Sequence, residues 1–479
     1  MLFNSLEFGF FLVVSFFLYW FVFNRNVKQR NFFLLLISYV FYGWWDWRFL
    51  SLLIFSSAID YFIAFKIDKA LSVSLKKKYL IISLVTNLGL LGVFKYFNFF
   101  AESFVHVLQA FGFQADVVTL NVILPVGISF YTFQTMSYTI DVYRGKLKPA
   151  EDWIQFFTYV TFFPQLVAGP IERATHLLPQ FSRLQTFSTD LAASGMRLML
   201  WGYFKKSVVA DHCAQQVNAI FGSHTSANSL VLLMGVVYFA FQIYGDFSGY
   251  SDIARGVSRL FGIDLMVNFK TPYFARDIAE FWRRWHISLT TWFRDYVYIP
   301  MGGSQKGIRK GILNIFIIFL LSGLWHGANW TFVIWGLINA LLFIPLLITG
   351  SNRNHLNNVA SGRLLPSFKE LFQMALTFSL VCLTWIFFRA ANITQAWSYL
   401  SSIFTNTNLP IDRESFDKIT LGSLFIMVLF DWLSRENGFE GFLFSMSNAW
   451  RRRLVYTIIF LCIFLFGVFD KDSFIYFQF

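Results

Sequence analysis

Charge is scarce in this 479-residue chain: Asp, Glu, Lys and Arg supply 14% of it, against roughly 25% in soluble domains. Cysteine is scarcer, with Cys213, Cys382 and Cys462 far apart and no CxxC spacing. That pattern supports neither a disulfide framework nor a zinc site. Alternating ten-residue segments are missing too, which excludes a membrane β-barrel. What the chain has instead is apolar and aromatic: 56% of it is hydrophobic, with 63 Phe, 20 Tyr and 16 Trp, and the mean hydropathy is +0.54. A soluble enzyme of this length could not hide so much apolar surface in its core, and neither a disordered nor a fibrous chain has this composition. The sequence is that of an integral membrane protein.

The formal net charge is +12, from 39 basic and 27 acidic residues. Nucleic acid is one partner such a charge can imply. The basic residues, however, sit in short clusters between apolar runs, where cytoplasmic loops and anionic lipid collect them. The run at 6–23 has no basic segment before it and no small-residue cleavage site, so it reads as a retained span and not as a signal peptide.

A bilayer core takes about 20 mostly apolar residues per helix. Runs near that length lie around 6–23, 31–45, 48–66, 79–100, 154–169, 229–245, 312–325, 328–349, 371–389, 419–433 and 454–469, with an amphipathic stretch near 190–211. The expected fold is all-α, a polytopic membrane protein of about eleven or twelve transmembrane helices. Arg25, Lys28 and Arg30 follow the first span, and Lys66, Lys69 and Lys76–Lys78 follow the third. Both loops then face the cytoplasm and the N-terminus lies outside; Arg451–Arg453, ahead of the last run, put the C-terminus outside as well. Between about 115 and 175, and again between 245 and 310, Gly, Pro and charge break the apolar runs, as at Leu124-Pro125-Val126-Gly127 and Phe163-Pro164. Such breaks survive at membrane depth only where protein or a water-filled cavity covers the backbone. Re-entrant or broken helices around a central cavity are therefore expected. No repeat, linker or low-complexity segment divides the chain, which reads as one domain over 1–479.

Of seven histidines, two have informative surroundings. His326 lies in Leu321-Ser322-Gly323-Leu324-Trp325-His326-Gly327-Ala328-Asn329-Trp330, between long apolar runs. A charged side chain at membrane depth costs on the order of 2.5–3.5 kcal/mol by insertion scales. A neutral imidazole costs less and is suited to act as a base. Gly323 and Gly327 leave room for another backbone or a ligand. The plainer alternative is a buried histidine bonded to a carbonyl between helices. His286 lies in Glu280-Phe281-Trp282-Arg283-Arg284-Trp285-His286-Ile287-Ser288-Leu289. As one continuous helix this segment puts Trp282, Trp285 and Leu289 on one face, and Arg283, His286 and Thr290 together on another. Read plainly, it is an interfacial helix anchored at the headgroups by Trp and Arg. His106, His176, His212, His224 and His355 read as loop or interfacial residues.

Asp246, Asp252 and Glu172 fall in the broken regions and can orient an imidazole or pair with Arg255, Arg283 or Arg294; structural pairing is the main expectation. Ser288 and Ser322 have no GxSxG context, which argues against a serine nucleophile. The stretch Gly302-Gly303-Ser304-Gln305-Lys306-Gly307-Ile308-Arg309-Lys310-Gly311 matches no Walker pattern and reads as a basic cytoplasmic loop, able to attract an anionic acyl donor.

With these blocks in hand, the chain resembles the membrane-bound O-acyltransferases. The resemblance rests on Phe281-Trp282-Arg283-Arg284-Trp285-His286-Ile287-Ser288-Leu289, Arg294-Asp295-Tyr296-Val297-Tyr298-Ile299-Pro300 and Leu321-Ser322-Gly323-Leu324-Trp325-His326-Gly327. Similar stretches begin at Ser38, Pro125 and Phe162, and the ending Phe474-Ile475-Tyr476-Phe477-Gln478-Phe479 also fits. The blocks run from residue 38 to the C-terminus and are most similar to the bacterial branch of alginate O-acetylation proteins and D-alanyl-lipoteichoic-acid transferases.

The resemblance implies an O-acyltransferase of the bacterial inner membrane with a funnel-like cavity. It maps the family's intramembrane histidine onto His326 and the second histidine onto His286. It implies no tightly bound cofactor and no metal. Acetyl-CoA or another acyl thioester arrives from the cytoplasm, and a cell-envelope or exopolysaccharide hydroxyl approaches from the other face. His326 acts as general base, and His286 orients the donor or stabilises negative charge. Implied partners are the lipid bilayer, an exported acetyltransferase or esterase-like protein and, in the D-alanyl alternative, an acyl carrier protein; nucleic acid is not among them. A rival of a different class is a transporter with a histidine relay, but corresponding broken segments in two halves are missing. A non-catalytic scaffold for an exported acetyltransferase is the third reading.

Overall fold

The computed structural model describes residues 1–114, 116–120 and 123–469. The 474–479 ending that contributes to the resemblance lies outside the described residues. Every regular element is helical, and no strand occurs among the described residues. Seven helical stretches are long and apolar enough to cross a membrane: Leu6–Phe23, Val27–Lys69, Val73–Ala110, Ser229–Leu260, Ile308–His326, Trp330–Ile348 and Phe368–Arg389. The chain is an all-α, polytopic membrane protein.

Local chemistry explains where these helices begin. Asn26 accepts the Lys28 N–H at 2.8 Å, and Asn329 accepts that of Thr331 at 3.0 Å. Ser367 and Glu370 close a reciprocal capping box ahead of Phe368–Arg389. Each side chain satisfies an N–H that the first helical turn leaves without an intrahelical acceptor. Within Val27–Lys69, Asp46 accepts the Arg48 N–H at 3.0 Å, and a 3-10 turn at Trp47–Phe49 separates two helices of 20 residues each.

The run at 154–169 is not a span. It forms the helix Trp153–Thr161, a break at Phe162 and the single turn Phe163–Leu166. Pro164 contributes to the break, because it has no N–H to continue the ladder from the preceding helix and sits instead in the first turn of the next. Residues 158–170 are all buried in the protein, as a broken segment at membrane depth requires. The stretches at 419–433 and 454–469 are helices, Lys418–Leu433 and Ala449–Phe466. The 190–211 stretch is the helix Thr189–Tyr203 followed by a π-helical segment, Phe204–Ala210.

The contacts divide the chain into two compact units, 1–192 with 258–266, and 193–257 with 267–479. In the first, Phe163 gathers Phe11, Phe41 and Phe261 at ring separations of 5.3, 5.5 and 5.7 Å. Arg30 takes no part in a loop surface, although its place after the first span suggests one. It is buried against the Phe181 and Arg183 carbonyls, so its charge ties a loop down. Asp60, wholly buried, accepts from Ser83 at 2.5 Å and Asn87 at 2.8 Å. Hydroxyls and amides thus satisfy the carboxyl on its own helix bundle.

The second unit is organised by the hairpin Ile308–His326 and Trp330–Ile348. A Cβ on Gly336 would collide with the Phe319 carbonyl oxygen, and one on Gly323 with that of Phe332. The two glycines therefore let each arm press its bare backbone on the other, the packing that small residues permit between membrane helices. Phe368–Arg389 lies beside the second arm, with Trp385 stacked on Trp335 at 5.8 Å.

Candidate active site

His326 is the last residue of its helix; the chain turns to extended conformation at Gly327. Each arm of the hairpin has 19 residues, a length of about 28 Å at 1.5 Å per residue. The imidazole therefore stands where the hairpin turns, at one end of the arms and not midway along an apolar run. It is 5% exposed. Aromatic rings enclose it: Trp325 at 4.9 Å, Phe388 at 5.1 Å and Trp335 at 5.2 Å between centroids, all edge-on.

His286 is reached from a different direction. The continuous helix expected over 280–290 is broken there. One helix, Ile278–Arg284, ends before it, and another, Ile287–Phe293, begins after it. His286 links them with φ 43° and ψ 55°, a left-handed conformation that costs a non-glycine residue roughly 1–2 kcal/mol. The cause is the passing segment 268–270. Arg284 gives its carbonyl to the Lys270 N–H at 3.0 Å, and the Ile287 N–H goes to the Asn268 carbonyl at 2.9 Å. The Asn268 side chain accepts the Ser288 hydroxyl at 2.6 Å and the Ser288 N–H at 3.3 Å. These bonds replace the ladder that a continuous helix would use. Backbone strain held this firmly is a feature of functional sites.

The break also changes what surrounds the imidazole. Trp282 and Trp285 are buried, not at headgroup level. Trp282 meets Phe319 at 5.4 Å and Trp335 at 5.6 Å, and Trp285 meets Trp385 at 5.2 Å. His286 has Phe247 at 4.6 Å and Trp325 at 5.7 Å. Trp325 is thus shared: the two histidines, 40 positions apart in sequence, flank one indole. Asn268→Ala is expected to remove the two hydrogen bonds that its side chain accepts from Ser288, at about 0.5–1.5 kcal/mol each. The thermal midpoint of the purified protein should fall by several degrees, and an unchanged midpoint would show that the break at 286 holds without Asn268.

The arginines of this segment tie protein to protein. Glu280, 1% exposed, takes Arg276 at 2.9 Å and Arg284 at 2.8 Å. Arg283 donates to the carbonyls of Asn352 at 2.7 Å and His355 at 2.8 Å. Arg294 pairs with its neighbour Asp295 at 2.7 Å. Neither Asp246 nor Asp252 orients an imidazole among the described contacts. Asp246 pairs with Lys206 at 2.8 Å; Asp252 takes Lys205 at 2.6 Å, with Arg255 at 3.5 Å. Glu172 accepts from His176 at 2.8 Å and from the Met266 N–H at 2.5 Å. Burial pushes the Glu172 carboxyl up from its ordinary range, and the neighbouring carboxylate raises His176.

Of the remaining histidines, His212 bonds the Phe466 carbonyl at 2.8 Å, and His224 bonds that of Phe221 at 3.0 Å. His355 stands 3.9 Å from Asp277, and His106 is exposed on its helix. The glycine-rich loop is held by Asn314, which donates to the Gly303 carbonyl at 2.8 Å, and leaves Lys306, Arg309 and Lys310 exposed. No group of three or more metal-binding side chains occurs among the described residues.

Several contributors carry no motif. Lys205 and Lys206 fall in the stretch near 190–211, which reads as amphipathic and singles out neither lysine. They lie on the π-helical segment Phe204–Ala210, and Lys206 sits between Asp211 at 2.7 Å and Asp246 at 2.8 Å. Asn268 and Trp335 gave no sequence signal, because their roles depend on partners distant in the chain.

Known proteins resemble the chain as a whole. The family model described as MBOAT, membrane-bound O-acyltransferase family, matches residues 150–386, a range that holds both histidines. A Pseudomonas aeruginosa protein named "Probable alginate O-acetylase AlgI" is 39% identical over 79% of this chain and 70% of its own length. The peptidoglycan O-acetyltransferase of Helicobacter pylori is 34% identical over 84% of this chain and 80% of its own. The teichoic acid D-alanyltransferase of Bacillus subtilis is 30% identical over 46% of this chain and 58% of its own.

Proposed function

The chain belongs to the membrane-bound O-acyltransferase family, and from that premise we propose an acetyl transfer in which His326 is the general base. The membrane-embedded enzyme is an O-acyltransferase. The acyl group proposed is acetyl, carried as a thioester by acetyl-CoA or a similar donor from the cytoplasm. The acceptor is a hydroxyl of a cell-envelope or exported polysaccharide, reached directly or through an exported partner protein. The membrane proposed is the bacterial inner membrane.

One observation carries the reading: two buried imidazoles share the Trp325 indole at the turn of a membrane hairpin. The exposed Lys306, Arg309 and Lys310 stand at the far end of the first arm, and positive clusters mark the cytoplasmic side. His326 then lies toward the opposite face, from which an exported hydroxyl would come. His326 takes the hydroxyl proton as the oxygen attacks the thioester carbonyl. The carbon–sulfur bond breaks, and the imidazolium returns the proton to the leaving thiolate. General-base assistance of this kind is typically worth about 10²–10⁴-fold. The aromatic enclosure keeps water from hydrolysing the thioester. His286 orients the donor.

The test is transfer by the purified protein in lipid, supplied either with acetyl-labelled acetyl-CoA or with a D-alanyl thioester on a carrier protein, and with polysaccharide acceptors. Acetyl label should move to hydroxyl esters and D-alanyl label should not. The high coverage of the O-acetyltransferase relatives and the shorter match to the D-alanyl transferase support that order. Transfer of D-alanine alone would replace the donor assignment. Inertness toward every thioester, with and without an exported partner, would overturn the reading.

A further inference from the structure

Buried N–H groups in proteins almost always have an acceptor, and one without calls for an explanation. Several indoles in the second unit depart from this, Trp385 among them, and two of them bear on the chemistry. The Nε1 atoms of Trp282 and Trp335 are buried and have no hydrogen-bond acceptor among the described residues. The side chains are 8% and 1% exposed, so bulk water does not serve them. Their rings are 5.6 Å apart at 74°, and the Trp335 ring is 5.2 Å from that of His326 at 86°.

If filling space were their only task, phenylalanine, which this chain uses 63 times, would do so without burying a donor. Both indoles are also firmly placed. Trp282 lies on the helix Ile278–Arg284, beside Glu280 and its two arginines. Trp335 precedes Gly336, whose contact with the Phe319 carbonyl sets the spacing of the hairpin arms. Donors held in place ahead of the reaction, in a water-poor aromatic enclosure, are what a developing negative charge needs.

We propose that the Trp335 indole N–H, assisted by that of Trp282, is the oxyanion donor of the acyl-transfer step. The inference rests on His326 as general base. When His326 removes the hydroxyl proton, the acceptor oxygen bonds to the thioester carbonyl carbon. The π pair of the carbonyl moves onto its oxygen, which becomes an alkoxide and accepts the indole hydrogen bonds. The pair then returns, the carbon–sulfur bond breaks, and the thiolate takes the proton from the imidazolium. Nothing is oxidised or reduced, and the donors release the oxygen as the ester carbonyl re-forms.

The test removes the N–H and keeps an aromatic ring at each position. Trp335→Phe and Trp282→Phe are assayed in the full-length protein for kcat, for KM of the acyl thioester and for thermal midpoint. Removing an oxyanion donor should lower kcat by about 10²–10³-fold for Trp335→Phe, with KM changed less than threefold. The effect at Trp282 should be smaller. The smaller phenyl ring leaves a void and lowers the midpoint by itself, so the kcat loss is read against 3-benzothienylalanine at the same position, where the volume is kept and the midpoint should hold. If Trp335→Phe is poorly folded, 3-benzothienylalanine at position 335, with sulfur in place of N–H and nearly the same volume, repeats the experiment. A kcat within threefold of the parent in the folded variant overturns the proposal. His326→Gln is measured alongside: parental turnover there would instead remove the general base, while loss there with no effect at Trp335 would remove only the oxyanion donor.

Discussion

His326→Ala is expected to lower acyl transfer by at least about 10²–10⁴-fold, the usual contribution of a positioned base, and to leave the protein folded. The imidazole meets three aromatic rings edge-on. Truncation to alanine opens a small void among them, and rings locked by their own stacking have little means of filling it. His326→Gln keeps most of the volume and a polar terminus but offers no basic nitrogen at neutral pH. The two variants should therefore lose activity together while differing in thermal midpoint. Turnover of labelled thioester by the purified variants, alongside midpoints, is the measurement. Parental turnover in both would remove His326 from the chemistry and leave it as a packing residue.

The second large effect is structural. Gly336→Val should separate the hairpin arms, because its Cβ would meet the Phe319 carbonyl oxygen, and backbone cannot rotate away as a side chain can. Overpacking typically costs 1–3 kcal/mol, and a clash with main chain belongs at or above about 3 kcal/mol. Gly323→Val meets the Phe332 carbonyl on the other arm and should behave alike. Gly422, with no atom near its would-be Cβ, is the control: Gly422→Ala should be close to neutral. A midpoint for Gly336→Val equal to the parent would show that the arms are not in contact there. Loss of activity should follow loss of the hairpin, since His326 and Trp335 come from its two arms.

The sequence is explicit about some of this and silent about the rest. Long apolar runs reveal most of the membrane helices, because a 20-residue stretch without charge has few other uses. The 154–169 run misleads, since hydropathy averages over Pro164 while the backbone cannot. The two informative histidines stand out by their polar, broken settings. Their relation to each other does not, because it passes through Trp325 and through a helix break that Asn268 imposes from 18 positions away. Helical periodicity over 280–290 predicts a continuous face, and a competing set of hydrogen bonds prevails over it. Asp246 and Asp252 stand out as acids in a broken region, but their lysine partners lie 40 and 47 positions earlier, in an amphipathic stretch that gave no hint of pairing.

The glycine-to-carbonyl knitting of the hairpin has a bearing on how the protein is made. Two arms that already satisfy their own backbone and fit one another without help can leave the ribosome and enter the bilayer as a single preassembled wedge. With the basic loop on the cytoplasmic side, as proposed, the turn at its tip would cross first and take His326 with it. Phe388 and Trp385 would close over the imidazole afterwards, as Phe368–Arg389 follows. In that order of assembly the imidazole would be delivered before the walls that shelter it.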